Sequence, residues 1–222
     1  MKEIHFTKMH GIGNDYIYID CFKEKVEDPS YLAKIMSPRR TSVGSDGVIL
    51  ICPSDVADAK MRMFNLDGSE GKMCGNGIRC VGKYIYDNGI AHKKTLTVET
   101  LSGIKTLYVT EENGKATSLT VDMGEPILTP KDIPVKFGGD KMINEPININ
   151  GTEYRITAVS MGNPHAVVFC DDIKELALEK IGPEFEFNPI FPEQVNTEFI
   201  RVKDRKNLEM RVWERGSGET FA

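Results

Sequence analysis

Residues 4–9 alternate apolar and polar side chains, the period of a half-buried strand, and residues 16–19 form a short apolar run. Gly11-Ile12-Gly13-Asn14-Asp15 between them predicts a hairpin turn. Asp28-Pro29 supplies a cap and a first-turn proline, which predicts a short helix burying Leu32, Ile35 and Met36. A polar loop over 42–47 leads into the apolar strand Val48-Ile49-Leu50-Ile51. Over 59–64, Met61 and Met63 fall on one side and Arg62 on the other, a strand again. Ile78, Val81, Tyr84 and Ile85 then recur at helical spacing, and Asn88-Gly89 supplies a left-handed stop. Strands follow at 95–99, 104–109 and 118–122.

The chain turns polar at Glu111-Glu112-Asn113-Gly114-Lys115, which places a boundary there between an N-terminal domain, 1–115, and a C-terminal domain, 116–222. Pro126, Pro130 and Pro134 mark an extended run. Asn150-Gly151 between two apolar stretches is a strong hairpin signal. Met161-Gly162-Asn163-Pro164-His165 precedes a strand over 166–169, and a helix is expected from Asp172 through Lys180, stopped by Gly182-Pro183. Strands are predicted at 198–202 and 208–213. Landmarks recur in order: Gly13-Asn14 with Gly162-Asn163, offset 149; Val43 with Val195, offset 152; Phe64 with Trp213, offset 149. Glu70 then falls on Glu219, and the counterpart of Cys74 is position 223. Two related domains facing each other across a pseudo-two-fold axis are expected.

The stretch from Asn65 to Cys80 carries the chemistry. Cys74 sits in a glycine-rich turn where a helix begins, and the N–H groups and dipole there stabilise negative charge. A thiol so placed ionises more readily and becomes a usable base or nucleophile. Gly75 and Gly77 let the backbone close on a small anionic group. Cys80 within the apolar helix, and Cys21, Cys52 and Cys170 at the ends of apolar runs, read as small buried hydrophobes.

Composition narrows the class. The 222 residues are 40% hydrophobic and 27% charged, an ordinary globular balance. A net charge of −5 argues against a nucleic-acid surface, and no apolar run approaches membrane-spanning length. The N-terminus lacks a signal-peptide core, and five cysteines without framework spacing point to a reducing cytoplasm.

Asn14, Asn65, Asn76, Asn163 and Asn196 all fall in loops at strand or helix ends. Asparagine donates to carboxylate and accepts from ammonium, so the set suits a zwitterionic amino acid, although turn chemistry accounts equally well for each one singly. Arg215 could grip a second carboxylate by a bidentate fork. Among the histidines only His165, beside Asn163, is placed to act; His5, His10 and His92 read as structural or solvated. Gly75-x-Gly77 lacks the third glycine of a dinucleotide fingerprint, and Gly71-Lys72 lacks the upstream glycine and following Ser/Thr of a phosphate loop. No histidine or cysteine spacing suits a metal. No metal and no nucleotide cofactor are therefore expected.

Lys8-Met9-His10-Gly11-Ile12-Gly13-Asn14-Asp15-Tyr16, Asn65-Leu66-Asp67-Gly68-Ser69-Glu70 and Met73-Cys74-Gly75-Asn76-Gly77-Ile78-Arg79-Cys80 closely resemble diaminopimelate epimerase. Met161-Gly162-Asn163-Pro164-His165, Val195-Asn196-Thr197-Glu198 and the stretch from Trp213 to Thr220 extend the resemblance over the whole chain. Proline racemases carry histidine where Asn76 stands. The resemblance implies an α/β fold of the α+β kind. Two pseudo-symmetric domains would each wrap a mixed or antiparallel sheet around a central helix, with the active site in the cleft between them.

It further implies a cofactor-independent, cytoplasmic enzyme, usually a homodimer, interconverting LL- and meso-2,6-diaminoheptanedioate for lysine and peptidoglycan. One thiolate would remove the α-proton and a second thiol deliver one to the opposite face. Cys74 matches the first thiol. Asn14, Asn65, Gly75, Asn76, Asn163, Asn196, Glu214 and Arg215 match substrate-binding positions, and His165 and Glu214 match residues that tune the thiols. The family continues past Glu-Thr-x-Ala with the second cysteine, whereas this sequence stops at Ala222. The expectation is thus a shortened chain, inactive as it stands. An epimerase of another amino acid on the same fold, or a non-catalytic binding protein, are the competing readings.

Overall fold

Ile12 and Gly13 sit at φ 53° and 86°. This is the left-handed pair that a two-residue hairpin turn needs, and it closes strand β1 (Thr7–Gly11) onto β2 (Asn14–Asp20). The computed structural model describes residues 3–220, which divide into two units, 3–123 and 124–220.

The first unit adds β3 (Gly47–Cys52), β4 (Ala59–Asn65), β5 (Glu70–Gly71), β6 (Thr95–Thr100), β7 (Gly103–Glu112) and β8 (Lys115–Asp122). The sheet order is β1-β2-β3-β4-β6-β7-β8, with β5 paired to β4. Two pairs are parallel: β2–β3, joined through helix α1 (Pro29–Met36), and β4–β6, joined through helix α2 (Gly75–Asp87). The helices take opposite faces of the sheet. Ile78, Val81 and Ile85 of α2 pack on Tyr16, Tyr18, Ile49, Ile51, Met61 and Met63. α1 covers Ile17, Ile19, Val48, Leu50 and Phe64. Each such side chain, fully buried, contributes about 1.5–3 kcal/mol. Asp28 caps α1 by accepting from the Tyr31 N–H at 2.9 Å. Its buried stripe is Ala33 and Met36, not the expected Ile35, which is 45% exposed. So short a helix touches the sheet along one narrow line.

The polar turn at 111–115 is not a domain boundary. Asn113 and Gly114, both at positive φ, reverse the chain between β7 and β8, and β8 is the last strand of the first sheet. The chain passes to the second unit after Met123.

That unit holds β9 (Glu145–Ile149), β10 (Thr152–Ser160), β11 (Pro164–Phe169), helix α3 (Leu178–Glu186), β12 (Asn196–Val202), β13 (Leu208–Glu214) and β14 (Gly218–Thr220), in the order β14-β13-β12-β11-β10-β9. The expected Asn150-Gly151 turn joins β9 to β10. A single 3₁₀ turn, Pro130–Asp132, interrupts the proline run. α3 departs from expectation: it starts at Leu178 and runs through Gly182 and Pro183. A Cβ on Gly182 would lie 2.2 Å from Cδ2 of Trp213, so glycine lets the helix rest on the indole. Burial of Leu178 and Phe185 then outweighs the one helical bond that Pro183 forfeits.

The internal echo is a repeat of topology. In β2–β3 Tyr16 pairs with Gly47, and 149 residues on His165 pairs with Asn196 in β11–β12. Val48 with Phe64 becomes Thr197 with Trp213, and Phe64 with Glu70 becomes Trp213 with Glu219. α1 and α3 begin 149 residues apart. Even an ion pair repeats: Arg62 forks onto Glu70 at 2.7 and 3.0 Å, and Arg211 onto Glu219 at 2.8 and 3.0 Å. One register therefore governs the whole repeat. The pairing of Val43 with Val195 breaks it, and Asp46 is the position that corresponds to Val195. Helical cover differs between the two halves of the repeat. α3 covers the face equivalent to that under α1, whereas among the described residues no helix covers the face equivalent to that under α2. There Phe169, Val202, Leu208 and Met210 stand more than half exposed.

Candidate active site

Cys74 is the N-cap of α2, with extended backbone at φ −134° and ψ 116°. Its sulfur accepts the Gly77 N–H at 3.3 Å and its thiol donates to Asn14 Oδ1 at 3.3 Å. The N-cap is where helical N–H groups lack internal acceptors, so negative charge on this sulfur is stabilised by both bond and dipole. Gly77 is needed for packing: a Cβ there would stand 2.5 Å from Ile49 Cδ1. Gly75 is different, since a Cβ there would meet only Met123 Cε, at 3.9 Å. Its open backbone face is free of steric demand from the fold. The β1–β2 hairpin fixes the helix start from outside, because a Cβ on Gly11 would stand 2.7 Å from the Asn76 carbonyl oxygen.

Asn14 is oriented from behind. Its Nδ2 donates to Asp46 Oδ2 at 2.8 Å, and a carboxylate can only accept, so Oδ1 is the atom turned to Cys74. The same Asp46 oxygen accepts the Asp15 N–H at 3.0 Å, and Asp46 Oδ1 takes Arg39 at 2.7 Å. Arg39 and Lys8 both reach Asp15. Burial works against the ionised Asp15, but these two cations hold its carboxyl below the usual range. Tyr16, 5% exposed, completes the surround. Burial first, then the charge of the Cys74 sulfur and a hydrogen bond to it, push its phenol well above the ordinary value. Tyr16 thus stays a neutral donor beside the sulfur. Sequence reasoning passed over Tyr16 and Asp46. The signal for Asp46 was its place in the polar loop at the mouth of β3.

The remaining expected residues of this unit are occupied locally. Asn65 ends β4 and donates from Nδ2 to Ser69 Oγ at 3.0 Å, and Asn76 Oδ1 accepts from Arg79. In the second unit, His165 lies between Asn163 Oδ1, 2.9 Å from Nε2, and Glu198 Oε1, 2.6 Å from Nδ1. Glu198 went unremarked as a working residue in the sequence, though it closes the Val195–Glu198 motif. Asn196, buried, accepts the Arg215 N–H at 3.0 Å through Oδ1. The Arg215 guanidinium donates to the Glu193 carbonyl at 2.8 Å, and burial lowers its ionisation from the usual value. Glu214 Oε1 accepts from Thr220 Oγ1 at 2.8 Å. The structure thus gathers Asn14, Gly75 and Asn76 around Cys74. Asn163 and His165 form a second group at the start of β11, and Asn196, Glu214 and Arg215 a third at the adjoining ends of β12 and β13.

The other cysteines are differently placed. Cys80 is buried in α2, and burial raises its thiol; burial likewise raises Cys170, at the end of β11. Cys21 and Cys52 are partly buried and pack against the edge of the cluster under α1. Among the described residues no three His, Cys, Asp or Glu side chains group as metal ligands, and no helix is long and apolar enough to cross a membrane.

A family model described as diaminopimelate epimerase matches residues 6–129 and 157–222. The diaminopimelate epimerase of Acetivibrio thermocellus is 57% identical over 219 residues, 99% of this chain and 78% of that protein. Those of Methanococcus maripaludis and Bacillus cereus are 54% and 51% identical, over 98% and 100% of this chain and 78% of each of those proteins. Among solved structures, a probable proline racemase from Agrobacterium radiobacter aligns with TM-score 0.73 at 14% identity, over 99% of this chain and 73% of that one. A hydroxyproline epimerase from Agrobacterium vitis aligns with TM-score 0.70 at 15% identity, over 98% and 72%. At such identity these two likenesses concern the fold alone.

Proposed function

The chain belongs to the diaminopimelate epimerase family, and from that premise we propose that it acts on the α-carbon of 2,6-diaminoheptanedioate, between the LL and meso isomers. Membership makes it an isomerase of the racemase and epimerase class. The observation that carries the catalytic reading is Cys74 at the N-cap of α2, bonded to the Gly77 N–H and faced by Asn14 and Tyr16.

An amino acid α-proton is far less acidic than a thiol, so the site must stabilise carbanion-like charge more than it stabilises substrate. In the proposed cycle the Cys74 thiolate takes the α-proton from one face. The Gly77 N–H and the Tyr16 hydroxyl favour the thiolate before transfer, and Asn14 Oδ1 accepts from the thiol after it. Asn14, Asn65, Gly75 and Asn76 are proposed to bind substrate together with Asn163, Asn196, Glu214 and Arg215, and His165 and Glu214 to tune thiol ionisation. Hydrogen bonds to the α-carboxylate in a water-poor site would stabilise the transition state without a cofactor. The proposed setting is a cytoplasmic homodimer supplying lysine and peptidoglycan precursors.

Inversion needs an acid or base on each face. Among the described residues Cys74 is the one thiol at a helix N-terminus; Cys80 lies inside α2, and Cys21, Cys52 and Cys170 lie at strand ends. We therefore propose that the 222-residue chain by itself exchanges an α-proton without net inversion. Each pure stereoisomer is incubated in heavy water, and deuterium uptake and isomer ratio are read. Uptake that Cys74→Ser abolishes supports the reading. Uptake unchanged in Cys74→Ser overturns the role of Cys74, and net conversion by the chain alone overturns the two-thiol requirement.

A further inference from the structure

β2 and β3 run parallel, with Ile17 beside Val48, Ile19 beside Leu50 and Asp20 beside Ile51. One step further the Cys21 N–H still donates to the Ile51 carbonyl at 2.9 Å, so the ladder continues to Cys21 and Cys52. Strand alternation puts Cys21 on the face of Ile17 and Ile19, and Cys52 on the face of Val48 and Leu50. Both pack against that one cluster, under α1. They are thus lateral neighbours on one face at the partly buried ends of two strands. Adjacent strands lie about 4.8 Å apart, inside the range of Cα separations that a disulfide spans.

Across Cys52 on β4 stands Lys60, with Arg62 one step along the same face. Interaction with the Cys21 thiol first, then Arg62 and Lys60, draws Cys52 below the ordinary thiol value against burial, while Cys52 first and then burial drive Cys21 far above it. Lys60 and Arg62 stand beside Cys52, so Cys52 is the side of the pair at which a thiolate is favoured, and Cys21 is placed to resolve a mixed disulfide on it.

We propose that Cys21 and Cys52 form a reversible dithiol–disulfide site that reacts with low-molecular-weight disulfides. The Cys52 thiolate attacks one sulfur of R–S–S–R, forming the mixed disulfide Cys52–S–S–R and releasing RS⁻. Cys21 then loses its proton and attacks the Cys52 sulfur, forming the Cys21–Cys52 bond and expelling the second RS⁻. The two released thiolates take up the two protons lost by the cysteines. Two protein thiols are oxidised and one small disulfide is reduced to two thiols. A thiol buffer reverses the exchange through the same mixed disulfide.

The test exposes the folded 222-residue chain to oxidised glutathione, quenches with acid, alkylates the remaining thiols and maps peptides by mass spectrometry. The expected product is a Cys21–Cys52 linked peptide pair with loss of two alkylatable thiols, reversed by reduced glutathione. Cys21→Ser is expected to retain glutathione on Cys52, while Cys52→Ser leaves Cys21 unmodified over the same period. Cys21→Ala repeats the first expectation without a hydroxyl at the site. Linkage seen only in the urea-unfolded chain, or equal glutathione uptake by Cys21→Ser and Cys52→Ser, overturns the proposal.

Discussion

Met61 and Met210 occupy the same place in the repeat, opposite Ile51 and Ile200 in the strand beside them. Met61 is 3% exposed and clusters with Ile78, Val81 and Ile85 of α2, and its Cε would lie 3.3 Å from a Cβ on Gly77. Met210 is 53% exposed. Truncating a buried methionine to alanine removes its transfer free energy and leaves a cavity, together about 2–5 kcal/mol. Truncating an exposed one costs about 0.5 kcal/mol or less. Met61→Ala should therefore lower the stability of the first unit by about 2–5 kcal/mol, a large share of the roughly 5–15 kcal/mol that a domain possesses. Met210→Ala should leave the second unit almost unchanged. The protein has one tryptophan, Trp213, so its fluorescence in a urea titration reports the second unit. Hydrogen exchange of peptides from β3 and β4 reports the first. Equal costs for the two substitutions would refute the claim that cover over one face separates the repeats.

Gly182→Ala should drive the new Cβ into the Trp213 ring and loosen the 2.8 Å bond from its Nε1 to Glu186 Oε2. A loss of about 1–3 kcal/mol with red-shifted emission is expected, and an unshifted spectrum at unchanged stability would contradict the close approach. Asp46→Ala should free Asn14 to rotate and reduce Cys74-dependent deuterium uptake by about 10²-fold, the scale of a misplaced reacting group; undiminished uptake would remove Asp46 from the site. Asp58 and Asp87 keep carboxyls depressed in the fold, burial opposing and Lys93 with Thr97, or Lys83 with the Ala116 N–H, prevailing. A depressed carboxylate contributes stability that is present above its unfolded value and lost as pH falls through the folded one. Melting temperature should thus drop below about pH 4, less steeply in Asp58→Asn, and an identical acid slope in that variant would refute the assignment.

The longer strands of the first unit and both its helices were legible because period and punctuation agreed there, whereas the two-residue β5 lies in what reads as a glycine-rich turn. Asp28-Pro29 capped α1, and Asn88-Gly89 ended α2. α3 was not legible. Gly182-Pro183 reads locally as a stop, and only the distant Trp213 ring explains a glycine inside the helix. Similarly, Glu111–Lys115 is polar because it is an exposed hairpin turn, a composition that a linker shares. Of the site, Cys74 was visible from its glycines. Asp46 and Tyr16 were not, because their part depends on a hairpin bringing Asn14 to the start of a helix 60 residues away. The Cys21–Cys52 pairing needs the register of two parallel strands, which no local pattern encodes.

β2 carries Asn14 at one tip, and Cys21 follows its other tip, seven residues on. At about 3.3 Å per residue this single strand holds the two thiol environments about 23 Å apart. Counting sulfhydryls consumed is then a poor gauge of how many catalytic centres are intact. A reagent that prefers a cation-flanked sulfur drains the Cys52 end, while one drawn to the helix start of Cys74 drains the other. The order in which the two disappear becomes a property of the reagent as much as of the protein.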